Sequence, residues 1–125
     1  LYNAQAGRST PGIKFNPDEN TLSFIGSSLP ENVHIFYKPV IDWINELNPS
    51  SFTEKPLNII FRLSYYNSGT IRCLAEILNA IKDLNGKGLN YSIEWHYDTD
   101  DDIIREAGEE LSDVLNMKFL MIPEK

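Results

Sequence analysis

Cysteine is nearly absent: Cys73 is the only one in 125 residues, so no internal disulfide can form and the cytoplasm is the simplest compartment. No apolar run approaches the roughly 18 to 20 residues that a membrane-crossing helix needs, which argues against direct membrane insertion. Leu1 to Thr10 lack the charged-then-apolar order of a signal peptide, although opening at Leu1 leaves room for a trimmed leader. The eleven Lys and Arg are scattered singly against eighteen acids, a net charge of −7. Phosphate neutralisation needs clustered cations, so nucleic acid is excluded as a partner. Also missing are a glycine-rich phosphate cradle and a nucleophile elbow.

What is present fits one domain, residues 1–125, with 42% hydrophobic and 23% charged residues and no linker, repeat or low-complexity tract. Ile13–Phe15 and Thr21–Ile25 are β-prone and flank Asn16-Pro17-Asp18-Glu19-Asn20, which reads as a hairpin turn. Gly26-Ser27-Ser28 reads as the end of that strand. Pro30-Glu31-Asn32 opens a helix on which Val33, Phe36, Tyr37, Val40, Ile44 and Leu47 recur at three- and four-residue spacing, widened by Trp43 and interrupted by Pro39.

Leu57–Leu63 is a near-continuously apolar strand, which predicts that both of its faces are covered. Tyr65–Thr70 reads as a loop. A second helix, about Thr70 to Leu84, carries two adjacent apolar stripes, one through Leu74 and Leu78 and one through Cys73 and Ile77. Leu89, Tyr91, Ile93, Trp95 and Tyr97 alternate with polar residues and make a half-buried strand. A third helix follows through Ile104, Ala107, Leu111 and Leu115, and Phe119–Ile122 is a last strand. This order predicts an α/β fold: a mixed sheet of about five strands with an N-terminal hairpin and three main helices. Trp43, Trp95, Leu74 and Leu78 are its expected core.

Chemistry is sparse. Asp98, Asp100, Asp102 and Glu109 fall at calcium-loop positions, but the turn position that needs glycine is Ile103. The run reads better as a helix start, with Thr99 as cap and Asp102 completing a capping box, and no metal is expected there. His34 and His96 have no second histidine or cysteine at ligand spacing, so both read as surface or packing residues. Cys73 has only Arg72 beside it and reads as a small buried hydrophobe. No cofactor is expected.

The segment Tyr65 to Arg72 is the most informative. Two aromatics precede Asn67-Ser68-Gly69-Thr70 at the start of a long helix. A hydroxyl of Ser68 or Thr70 can serve there merely as a helix cap. A phosphorylated hydroxyl would carry about −1.5 to −2 charges beside the positive helix end, where charge of that sign is favoured. Gly69 leaves room, and Arg72 lies one turn on.

With these residues the chain resembles the SiaC-type regulatory phosphoproteins of bacterial biofilm control. The resemblance runs through Ser9-Thr10-Pro11 with Ile13 and Phe15, Pro30-Glu31-Asn32, Phe36-Tyr37 and Asp42-Trp43. It continues through Tyr65-Tyr66-Asn67-Ser68, Trp95-His96-Tyr97-Asp98 and Glu106-Ala107-Gly108-Glu109. It implies a STAS-like domain, similar to anti-anti-sigma factors, working without catalysis as a partner switch. A dedicated protein kinase would phosphorylate it and a PP2C-type phosphatase would reverse this. The unphosphorylated form would bind and activate a diguanylate cyclase, raising cyclic di-GMP. Carried over, the acceptor falls on Ser68, with Thr70 as second choice. The partner surface would be Tyr65, Tyr66, Asn67, Ser68, Gly69, Thr70 and Arg72. The chain departs from the family's Asn-Thr-Ser-Ser-like segment by Ser68, Gly69 and Thr70.

Two other classes compete. One is a generic STAS-like, anti-anti-sigma-type module with a different partner. The other is a small enzyme using Cys73 or the pair Glu106 and Glu109, for which no base or oxyanion donor is evident.

Overall fold

The computed structural model describes residues 3–7 and 10–125; Ser9 of the family-like opening lies outside them. Six strands form one sheet in sequential order. They are β1 (Asn3–Ala4), β2 (Gly12–Asn16), β3 (Thr21–Ser28), β4 (Leu57–Tyr66), β5 (Tyr91–Asp98) and β6 (Leu120–Glu124). The two pairings among β1, β2 and β3 are antiparallel, whereas β3 to β6 run parallel. The hairpin turn between β2 and β3 is set by Asn16, whose Oδ1 accepts from Asp18 N–H at 3.0 Å, and by Asn20 at φ 51°. The expected count of five strands missed the two-residue β1.

Each parallel step is made by a helix: α1 (Val33–Asn45), α2 (Ser68–Asn85) and α3 (Asp102–Leu115). Strands that advance one place at a time with a constant right-handed crossover put every helix on the same face. The burial pattern of β4 fits that arrangement. Leu57, Ile59, Phe61 and Leu63 are buried, while Asn58 and Ile60 are partly exposed and Arg62 and Ser64 exposed. The expectation that both faces of this strand are covered is therefore corrected. Its other face is open, and β4 runs on through Tyr65 and Tyr66, where the sequence alone predicts a loop. Nor does β3 break at Gly26-Ser27-Ser28; it crosses a register shift at Gly26, whose φ of 117° suits glycine, and continues to Ser28.

An aromatic row crosses the covered face. Phe24 stacks on Phe61 at 4.8 Å, Phe61 meets Trp95 at 5.2 Å, and Trp95 meets Phe119 at 6.0 Å between ring centroids. Trp95 Nε1–H donates to the Ile104 carbonyl at 2.8 Å, tying α3 to β5. Leu74 and Leu78 are fully buried, and so is Cys73. The wide apolar arc of α2 thus reflects a helix packed against the sheet and both neighbouring helices. Trp43 is only partly buried; it packs against the margin of the core, tilted against Phe15 of β2 at 4.9 Å, and does not sit in the core as expected. Pro39 sits within α1, where its ring removes the N–H that would bond to Ile35.

Candidate functional site

The parallel strands deliver the N-termini of α1, α2 and α3 to one end of the sheet. At α2 the cap is Asn67, and neither Ser68 nor Thr70 performs it. Asn67 has extended backbone (φ −95°, ψ 169°), and its Oδ1 accepts from Thr70 N–H at 3.0 Å. With capping assigned to Asn67, Ser68 is the first helical residue and its side chain is exposed.

The remaining predicted residues divide into two groups. Tyr65 is 56% exposed at the end of β4, and Arg72 is exposed one helical turn beyond Ser68. Tyr66 is half-buried; burial first, and then the carboxylates of Glu110, Asp101 and Glu106, push its phenol above the ordinary tyrosine range. Gly69 turns inward, and a β-carbon there would come within 3.0 Å of Val33 Cγ2, so its role is close approach to α1. Thr70 is fully buried, its hydroxyl 2.7 Å from Asn67 Oδ1 and 3.0 Å from the Ser28 carbonyl. Burial removes Thr70 both as alternative phosphate acceptor and as a surface contact, a correction to the sequence reading.

Sequence reasoning missed one residue beneath this turn. Ser28 is buried, its Oγ 2.6 Å from Tyr37 OH and 2.8 Å from Thr70 Oγ1. The available signal was Tyr37 itself: a tyrosine on a buried stripe carries a hydroxyl that must find a partner.

Other chemistry-bearing groups are built differently. Cys73 Sγ lies 3.8 Å from His34 Nδ1, but burial and Glu76 push the thiol up, with Arg72 opposing, so the thiolate is disfavoured. A concavity of about 770 Å³ opens on the bare face of the sheet, lined in part by Arg62, Ser64, His96, Asp98, Asp100 and Glu124. His96 is buried in its wall, with Nε2 2.9 Å from Glu94 Oε1 and Nδ1 3.3 Å from Glu124 Oε2. The His96 hydrogen bond, opposed by burial and helped by Asn58, holds the Glu94 carboxyl below its ordinary range. A carboxylate held ionised in this way is a fixed acceptor and not a poised acid. Glu109 is ion-paired with Arg105 at 3.0 Å, and Glu106 is exposed on α3.

The acid run caps α3, though not as expected. Asp101 is the cap, accepting from Ile104 N–H at 3.0 Å, and Asp98 accepts from Asp100 N–H at 2.9 Å. Thr99 donates its N–H to the Glu124 carbonyl at 2.8 Å and stays with the sheet. Among the described residues no three His, Cys, Asp or Glu side chains are grouped to hold a metal.

The fold and this turn define a small α/β protein with an exposed hydroxyl at the start of its second helix. The chain belongs to the SiaC family of regulatory phosphoproteins, whose profile matches residues 4–124. It is 30% identical over 112 residues to an uncharacterized protein of Pseudomonas aeruginosa (strain UCBPP-PA14), covering 90% of this chain and 87% of that one. Among solved structures it is similar to one of the diguanylate cyclase SiaD in complex with its activator SiaC, from Pseudomonas aeruginosa. That match has TM-score 0.85 and 27% identity, and covers 99% of this chain and 100% of the matched one. Apo-SiaC from the same organism matches with TM-score 0.79 and 27% identity over the full length of both chains.

Proposed function

We propose that this chain is a cytoplasmic, non-enzymatic partner switch. Unphosphorylated at Ser68, it binds and activates a diguanylate cyclase; a dedicated kinase adds the phosphate and a PP2C-type phosphatase removes it. The observation that carries the reading is the placement of Ser68: an exposed hydroxyl opening α2, whose first turn contains no acidic residue. Support comes from membership of a family of regulatory phosphoproteins and from likeness to the activator of a cyclase.

The physical logic is local. With the hydroxyl free, the surface offers Tyr65 and the neutral first turn of α2 to a partner. A phosphate is well placed for the helix itself, beside uncompensated N–H groups and within reach of Arg72. For docking it is costly, because its charge must be stripped of water or paired by the partner.

Phosphosite mapping from cells, with binding of variants to the diguanylate cyclase of the same organism, tests this. Ser68→Ala is expected to bind like the unmodified protein. Ser68→Asp is expected to bind at least about tenfold more weakly, equivalent to about 1.4 kcal/mol. Phosphate mapping elsewhere, or equal binding by both variants, overturns the assignment and favours a module that binds without regard to Ser68.

A further inference from the structure

Directly under Ser68 lies a chain of hydroxyls that joins three elements. Tyr37 of α1, Ser28 at the end of β3 and Thr70 in the first turn of α2 are all fully buried. Their oxygens are spaced 2.6 Å and 2.8 Å apart, and Thr70 Oγ1 lies 2.7 Å from the capping oxygen of Asn67. Each hydroxyl has one proton to give. One direction carries a proton from each toward the start of α2: Tyr37 donates to Ser28, Ser28 to Thr70, and Thr70 to Asn67 Oδ1 at 2.7 Å or to the Ser28 carbonyl at 3.0 Å. Asn67 Oδ1 also accepts Thr70 N–H, so the cap of α2 is joined to α1 through these oxygens.

The backbone reinforces the same junction. Asn67 N–H donates to the Ser28 carbonyl at 3.0 Å, and Asn67 Nδ2–H reaches the Pro30 carbonyl, in the segment leading into α1, at 3.4 Å. Val33, the first residue of α1, packs where a Gly69 β-carbon would be. Because all three side chains are fully buried, a hydroxyl that loses its partner is left desolvated, which couples each bond of the chain to the next.

We propose that Thr70 is the positioning residue of the Ser68 switch, and that through Ser28 and Tyr37 it makes the starts of α2 and α1 one coupled unit. A change of charge at Ser68 then registers on α1, where Ile35 is 70% exposed, and not on the α2 turn alone. This deepens the reading of Ser68 given above and rests on it for its biological meaning, but the coupling itself needs no kinase or cyclase.

Amide hydrogen exchange read by NMR tests the coupling in the isolated protein. Thr70→Val, close to isosteric, is expected to speed exchange at least about tenfold at the Thr70 and Ile71 amides and also at Ile35 and Phe36 across the junction. Exchange at Leu78 and Ile81, farther along α2, is expected to change much less, and Thr70→Ser is expected to restore protection. Tyr37→Phe removes only the first oxygen of the chain and is expected to speed exchange at Thr70 and Ile71; it keeps the test open should Thr70→Val not fold. Exchange confined to the mutated helix, or raised uniformly throughout, overturns the proposal. A second arm compares Ser68→Ala and Ser68→Asp binding to the cyclase with and without Thr70→Val. The ratio is expected to fall below about threefold when the relay is cut. No ratio in the otherwise wild-type background counts against the Ser68 reading, while the exchange arm still decides the relay.

Discussion

The starts of α2 and α3 occupy equivalent places in the fold, each following a parallel strand, yet their chemistry is opposite. Both are capped by the same bond: Asn67 Oδ1 accepts from Thr70 N–H and Asp101 Oδ1 from Ile104 N–H, each at 3.0 Å. At α3 the positive helix end is already answered by charge. Asp101 caps it, Asp102 opens it, and Arg105 returns to bind Asp102 and Glu109 at 3.4 Å and 3.0 Å. At α2 the first turn is Ser68-Gly69-Thr70, with no acid. Topology therefore offers a potential anion site at each helix start, and composition closes one while leaving the other for a charge supplied later.

The two helices also differ in how they are seated, and the largest expected effect breaks that difference. At Gly108 of α3, a β-carbon would fall 2.5 Å from Trp95 Cδ1 and Nε1, in the middle of the buried aromatic row. The indole is held on both sides and by its bond to the Ile104 carbonyl, so it cannot swing away. Gly108→Ala is expected to cost about 1 to 3 kcal/mol by overpacking, measured by chemical denaturation. Gly69→Ala on α2 meets Val33 Cγ2 at 3.0 Å and Cβ at 3.5 Å, a looser fit than at Gly108, and is expected to cost clearly less. Equal losses would mean that the two helix seats are alike after all.

The caps give a smaller contrast. Asn67 Oδ1 takes both the N–H and the hydroxyl of Thr70, whereas Asp101 Oδ1 takes the Ile104 N–H. Losing a cap costs typically about 1 kcal/mol. Asn67→Ala is expected to exceed that figure, because it also removes the shorter of the two bonds open to the buried Thr70 hydroxyl and the contact with the Pro30 carbonyl, and Asp101→Ala to stay near it. Thermal or urea denaturation of the pair is the measurement, and a cost at Asp101 equal to or above that at Asn67 would sink the distinction.

Much of this contrast could be read from the chain. The helix periods of Val33–Leu47 and Ile71–Leu84 and the alternation from Leu89 to Tyr97 placed the main elements, and Asn67-Ser68 announced a helix start. What could not be read depended on distant pairing. Ser28 reaches Thr70 across 42 positions, and only the β3–β4 register brings them together. The open face of β4 was hidden for a similar reason: Leu57 to Leu63 is apolar at most positions, and only the one-sided placement of the helices leaves Ile60 partly bare. At α3 the sequence reading expects Thr99 as the cap, and the structure uses Asp101. The choice falls on Asp101 because β6 retains Thr99 through the Glu124 carbonyl.

The smallest effect is the sharpest, since its sign differs between the two starts. Ser68 and Asp102 are both first helical residues, one neutral and one acidic. A carboxylate at such a position is worth about 0.3 to 1 kcal/mol through the uncompensated N–H groups. Ser68→Asp is therefore expected to stabilise the isolated protein by about that amount, even as it weakens partner binding. Asp102→Ser is expected to destabilise by a similar amount, adding the loss of its 3.4 Å contact with Arg105, an exposed pair of little worth. Both changes should shrink in high salt, because exposed charges are screened there. Denaturation curves at low and high ionic strength provide the test. If Ser68→Asp lowers stability, α2 does not carry the free positive end that makes its first residue a place for phosphate, and the contrast with α3 fails where it matters most.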